Sequence, residues 1–222
     1  MTRVLAEAER LARCFGAGDR KILAVDAASF VIRPGDSIAL TGPSGSGKST
    51  LLNLLAGLDE PTSGHLTWPG IGSRDALRPL AVGMIHQFAA LIPSLTVAEN
   101  VALPLRLGHV EDQEQAVLAA LEAVDLLEFA DRLPDELSSG QAQRAGIARV
   151  LAHRPRLLLA DEPTGQLDQA TGQAVISSML DHAGRNGTAV VIATHDPAVA
   201  GRLRTSWRMD HGRLEAHEEA IP

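Results

Sequence analysis

"SIALTGPSGSGKSTLLNLLAGL", Ser37 to Leu58, joins three kinds of sequence without a break. Ser37–Thr41 is a short apolar run with the length and composition of a strand buried on both faces. Gly42–Thr50, with Pro43, Ser44 and Ser46 between its glycines, matches G-x-x-x-x-G-K-[ST]; Lys48–Leu58 then carries apolar residues at helical spacing. A glycine-rich turn between a buried strand and a helix is suited to phosphate. Gly42, Gly45 and Gly47 let consecutive N–H groups curl inward, and the helix N-terminus adds its positive end. Lys48 reaches the outer phosphates as a point charge, while Ser49 offers its hydroxyl to Mg2+. With glycine near 7% of residues, a chance match arises in a chain this long on the order of once in a hundred.

Similar apolar runs occur outward from this stretch, at Ala81–His86 ("AVGMIH"), Leu157–Ala160 ("LLLA") and Thr188–Thr194 ("TAVVIAT"), each ending in polar residues. Pro155 before "LLLA" and Asp161-Glu162-Pro163 after it leave no room for a helix there. Helical patterns at Glu114–Leu127 and Gln141–Ala152 lie between the runs, so the chain reads as α/β with a parallel sheet. Residues 88–151 contain no run that reads as a strand and form a helical insertion. The N-terminal "VLAEAERLAR", Val4–Arg13, has helix formers throughout and reads as a helix by propensity. "AHEEAIP", Ala216–Pro222, reads as a frayed tail.

The 222 residues, 45% of them hydrophobic, suffice for one large domain or a domain with a lobed insertion. A net charge of −7 and a pI near 5.6 exclude a broad basic footprint, so no nucleic-acid partner is expected and bound phosphate must be held locally. Cys14 is the only cysteine, which rules out an intrachain disulfide and fits a reducing, cytoplasmic setting. No apolar run approaches the roughly 18 residues that span a bilayer, and the N-terminus has charges where a signal peptide needs its apolar core. Work at a membrane would therefore require docking onto another chain.

Asp161 and Glu162 end an apolar strand. Successive strand residues point to opposite faces, so one carboxylate can orient Mg2+ while its neighbour faces a second point, such as an attacking water. Two adjacent acids are ordinarily a solvated turn; in a chain with a phosphate loop they read as a metal-orienting acid, Asp161, and a general base, Glu162. His195 in "ATHD" ends another run. Strand polarity puts it on the carboxyl edge, where ligands of open α/β sheets bind. There it can bond a γ-phosphate oxygen or hold the water.

The loop, "LSSGQ", "LLLADEP", "GQLD" and "ATHD" occur in one order and spacing that resembles the ATP-binding subunit of an ABC transporter over essentially the whole chain. The resemblance implies a P-loop NTPase with a RecA-like core, an antiparallel β lobe (the two together about residues 1–87 and 152–222) and an inserted helical lobe (about 88–151). It further implies ATP and Mg2+ as ligands and a head-to-tail dimer that sandwiches two ATP molecules. Gly42–Thr50 corresponds to Walker A, Asp161 to the Walker B aspartate, Glu162 to the catalytic glutamate and His195 to the switch histidine. Gln87 matches the Q-loop glutamine, which in the family touches Mg2+ or the water. Asp168 matches the D-loop acid; Gln166 stands where close relatives often have Asn. The family has a strand in place of the N-terminal helix, followed by an aromatic that stacks on adenine, and Phe15 matches that aromatic.

"HQFAALIPSLTVAENVALPLRL", His86–Leu107, is similar to the macrolide-exporter, lipoprotein-releasing and antimicrobial-peptide-resistance branch. The resemblance implies a separately encoded membrane permease docking near Gln87 to Glu99, with Phe88, Leu91 and Leu95 as apolar contacts. A soluble or regulatory ABC-type ATPase, switching with ATP but not transporting, is the alternative. "LSSGQ" corresponds to the signature sequence, whose helix N-terminus faces the γ-phosphate held by the other subunit. Ser138, the Gly140 N–H and Gln141 belong to this site. Ser139 departs from the usual glycine, and a negative φ there would suit it.

Overall fold

A computed structural model of the chain describes residues 4–16 and 21–217. They divide into two compact units, Met1–Leu77 with Ala189–Pro222, and Arg78–Thr188.

In the first unit, strands β1 (Ala6–Phe15), β2 (Ile22–Ile32) and β4 (Ser63–Thr67) form an antiparallel sheet in the order β2-β1-β4. The N-terminal helix expected from propensity is thus a strand, as the family resemblance implied. Propensity differs among these residues by only about 0.7 kcal/mol each, and pairing with two neighbours outweighs it. The strand is also irregular: Arg10 has φ 47°, and the pairing register slips between Ala8 and Leu11. This bulge places Ala8 and Leu11, three apart, both in the core, which imitates a helical period.

The same unit holds β3 (Ser37–Thr41), flanked in parallel by β7 (Ala189–Ala193) and β8 (Thr205–Asp210), with β9 (Arg213–His217) antiparallel to β8. β3 and β7 are buried along nearly their whole length, as their unbroken apolar runs require. The Phe30 and Trp207 rings, 4.9 Å apart, join the antiparallel sheet to β8. Helix α1 (Lys48–Leu55) buries Leu51, Leu52, Leu54 and Leu55, and Trp68 Nε1 donates to the Leu55 carbonyl at 3.0 Å. Ala216 and His217, read as part of a tail, belong to β9; residues 218–222 lie outside the described residues.

In the second unit, β5 (Val82–Ile85) and β6 (Leu157–Asp161) pair in parallel, from Val82 opposite Leu157 to Ile85 opposite Ala160. Between them run α2 (Val97–Leu107), α3 (Gln113–Ala123) and α4 (Ser139–Ala152), with no strand among the described residues; α5 (Gln169–Asn186) follows β6. The first three helices pack on one another and bury Val101, Leu105, Val117, Leu121, Ile147 and Leu151. A capping box starts α2: Thr96 Oγ1 accepts from the Glu99 N–H at 3.2 Å, and Glu99 Oε2 accepts from the Thr96 N–H at 2.9 Å. These bonds also hold the Glu99 carboxyl below its ordinary pKa. Asn100, fully buried, accepts from the Ile92 N–H at 2.7 Å and donates to the carbonyls of Ile92, Leu95 and Thr96. The "AEN" of the sequence is therefore a helix start plus a latch on the loop before it.

Candidate nucleotide site

The loop of the first unit is shaped by two close approaches. Gly42 (φ 140°) passes so near the Met209 carbonyl that a Cβ would lie 2.1 Å from its oxygen, and Gly47 (φ 108°) stands in the same relation to the Ala24 carbonyl, at 2.0 Å. Neither place admits a side chain. Lys48, buried, folds over the loop and donates from Nζ to the carbonyls of Gly42 and Pro43 at 2.8 and 2.9 Å. An ammonium has three donors, so a third remains for an anion. Helix α1 begins with no side-chain cap and no acidic residue in its first turn, leaving its positive end to face whatever the loop encloses. Ser46 Oγ is buried and finds no partner among the described residues. An orphaned hydroxyl inside a glycine loop fits an oxyanion acceptor better than a purely structural turn.

His195 follows β7, whose last residue, Ala193, pairs with Leu40, and the Thr194 N–H donates to the Leu40 carbonyl at 3.1 Å. The histidine therefore leaves its strand at the same edge where β3 runs into the loop, and it is exposed. Asp196 beside it caps α6 (Pro197–Ala200) through the Ala198 N–H at 2.8 Å. Phe15 ends β1, a different strand from the one that feeds the loop. It is 40% exposed, and one face is covered by the Arg13 guanidinium, 4.5 Å from the ring centroid. Asp59 fixes that guanidinium through Nε and Nη2 at 2.9 and 2.7 Å. A cation on one face and partial exposure suit the ring to a flat ligand on the other.

The second unit brings together the remaining candidates. Asp161 ends β6 and Gln87 lies two residues beyond β5, so both stand past the paired Ile85 and Ala160, on one edge. Glu162 has φ 46°, a left-handed backbone that costs a non-glycine residue roughly 1–2 kcal/mol. Ser138 caps α4: its Oγ accepts from the Gln141 N–H at 3.2 Å, and its own N–H donates to Gln141 Oε1 at 2.8 Å. Ser139 is the first helical residue, so the conformation expected for a serine at this departure is the one found. A Cβ on Gly140 would stand 3.4 Å from the Gln166 carbonyl oxygen, so the helix start lies directly against the "GQLD" loop. Asp168 caps α5, accepting from the Thr171 N–H at 3.0 Å, and Thr171 holds its carboxyl below the usual range.

Sequence reading missed the residues that tie these loops together. Gln143, 1% exposed, donates from Nε2 to the carbonyls of His86 and Pro163. Arg149 donates to the carbonyls of Ala89 and Ala90 at 2.9 and 3.1 Å. The available signal was helical register: Gln143 shares a face with Ile147 and Val150, so a polar residue falls where the pattern calls for an apolar one.

A glycine loop wrapped around a buried lysine, opening a helix beside a parallel strand, defines a P-loop nucleoside-triphosphate hydrolase. The chain belongs to the ABC transporter family, whose model ("ABC transporter") matches residues 25–165. It is an ATP-hydrolysing subunit that powers a membrane transporter, and the alternative of a regulatory or soluble switch is not favoured. It is 40% identical over 98% of its length to the whole of "Lipoprotein-releasing system ATP-binding protein LolD" of Legionella pneumophila (strain Lens). An "Uncharacterized ABC transporter ATP-binding protein Rv0986" of Mycobacterium tuberculosis is 39% identical, over 95% of this chain and 88% of that one. Among solved structures, the ATP-binding cassette MJ0796, determined as a dimer in a post-hydrolysis state bound to ADP and Pi, superposes with a TM-score of 0.89 at 32% identity, covering 98% of this chain and all of that one. These relatives place the chain in the lipoprotein-releasing branch. No described helix is long and apolar enough to cross a membrane.

Proposed function

We propose that Gly42–Thr50 hold the phosphates of MgATP, with Lys48 on the outer phosphates, and that Phe15 stacks on the adenine. Glu162 takes the proton of the attacking water, and His195 holds the γ-phosphate or the water. The bond broken is that between the γ-phosphorus and the bridging oxygen; ADP and inorganic phosphate leave. Mg2+, when held by Ser49, Gln87 and Asp161, would neutralise charge on the β- and γ-phosphates. The observation that carries the reading is the loop itself: two glycines that admit no Cβ, a lysine buried at its centre and a buried serine hydroxyl with no protein partner.

Two copies then close on ATP, with Ser138, Ser139, Gly140 and Gln141 of each facing the other's γ-phosphate and Asp168 at the contact. The dimeric MJ0796 cassettes support this arrangement. The capping bonds occupy the Ser138 and Gln141 N–H groups, which leaves those of Ser139 and Gly140 at the start of α4 as the backbone donors for an anion. A permease docks near Gln87 to Glu99. Phe88 is 66% exposed, which suits it to such a contact, and Ala98, Ala102, Val117 and Leu127 line a groove of about 560 Å3 beside Glu99. By likeness to LolD, the permease belongs to a lipoprotein-releasing type of system, and the subunit works on the cytoplasmic side of the membrane. Lys48→Met should lower ATP affinity and turnover by roughly 10-fold or more, since it removes the charge while keeping the stem. Unchanged nucleotide binding by isothermal calorimetry would contradict the site.

A further inference from the structure

Three segments of the second unit meet at one side chain. Gln143, on the buried face of α4, donates from Nε2 to the His86 carbonyl at 3.0 Å and to the Pro163 carbonyl at 3.3 Å. His86 immediately precedes Gln87, and Pro163 immediately follows Glu162. One amide thus grips the chain next to each of the two residues assigned to the water and metal. Its orientation is fixed by those bonds, because the opposite flip would set Oε1 against two carbonyl oxygens. Oε1 is itself buried and finds no partner among the described residues, so the side chain leaves an acceptor unsatisfied to make these two donations.

The grip falls where the backbone needs support. Glu162 sits at φ 46° and Ala90 at φ 45°, left-handed conformations that side chains other than glycine rarely adopt. Gln143 holds the residue after the first, and Arg149, two turns along the same helix, holds the carbonyls of Ala89 and Ala90. Between them Gly146 lets the helix approach until a Cβ there would lie 3.2 Å from the Ala89 Cα. The helix that starts at Ser139 is therefore fastened along its length to the loop after β5 and, through Gln143, also to the turn after β6.

We infer that Gln143 is a positioning residue for hydrolysis. It carries the placement of the α4 N-terminus to Gln87 and Glu162 together, so that the water-activating carboxylate is aligned only when the signature helix is seated. This rests on the roles proposed for Glu162 and Gln87. A residue acting this way affects the chemical step more than ATP binding, which belongs mainly to the loop and Phe15.

The test uses the purified full chain. Gln143→Met keeps side-chain length and removes both donors; Gln143→Asn keeps the amide but is too short to span both carbonyls. Binding of a fluorescent ATP analogue, kcat, KM and thermal melting are measured for each beside wild type and Glu162→Gln. The expected result is kcat lower by roughly 10- to 100-fold, with nucleotide affinity within about twofold of wild type and a cooperative melt. Wild-type kcat in a folded variant overturns the inference. So do binding and turnover that fall together in proportion to the folded fraction, since a packing role alone would do that. If the methionine variant does not fold, the asparagine variant decides by the same criteria. Turnover retained in Glu162→Gln would instead remove the proposed site beneath the inference, so the two failures are told apart.

Discussion

Ser139 stands where the family resemblance expects glycine, at a position that has room for a serine. It is the first helical residue of α4 and exposed, so neither its backbone nor its side chain meets an obstacle in its own subunit. Ser139→Gly should change the steady-state ATPase rate by no more than about twofold and lower helix stability by under about 1 kcal/mol. A large rate change would show that this serine tunes closure of the dimer. At this scale the phosphate loop was fully legible, because its residue types are dictated by contacts that the pattern itself encodes: Gly42 and Gly47 have no room for a Cβ. Gln143 was not legible, because nothing in a single sequence shows which backbone carbonyls a buried amide will meet.

At the scale of elements, the parallel strands were readable from unbroken apolar runs: β3, β5 and β7 lie within the runs expected of them, and β6 exceeds its run by Asp161 alone. β1 was not, since its residues are helix formers and the pairing with β2 and β4 that overrides their propensity is not visible in a single segment of sequence. Only the family resemblance corrected that reading in advance. The "AEN" stretch shows the converse, a pattern first legible only as resemblance and now given a mechanism. Asn100 satisfies one N–H and three carbonyls of the segment before α2. Asn100→Ala should therefore destabilise the protein by about 2–4 kcal/mol, because it empties a fully buried site and takes the side-chain partner from the Ile92 N–H and the Leu95 carbonyl. Urea denaturation followed by circular dichroism measures this; a loss below about 0.5 kcal/mol would show that the latch is dispensable.

At the scale of the whole molecule, acid should weaken the fold well before its carboxylates titrate. His153, at the end of α4, is pushed down to about 4 from 6.5, chiefly by burial, although its bond to the Leu80 carbonyl opposes the shift; Arg78 and Arg149 add to it. His86 and His182 are lowered as well, again mainly by burial. The unfolded chain therefore takes up these protons first as pH falls below 6.5. The stability His153 contributes is complete above that pH and declines toward about pH 4, by at most about 1.4 kcal/mol per unit. Denaturation at pH 7.5 and 5.5 should show this loss, and His153→Gln, which keeps a donor for Leu80, should show less of it. Equal losses in the two proteins would contradict the assignment. The sequence showed where the glycine loop, the acids at the end of β6 and the "LSSGQ" helix start lie, but not how they are braced, because bracing is a property of buried contacts between distant segments.

In the proposed mechanism Glu162 activates the water of an ATP molecule held between two copies of the chain. Measuring the mass of Glu162→Gln in solution by light scattering, with and without MgATP, alongside its turnover, tests it most directly. The expected result is turnover reduced by roughly 100-fold or more, undiminished ATP binding and a stable dimer formed only with ATP. Undiminished turnover, or a variant that binds ATP and remains monomeric, would contradict it.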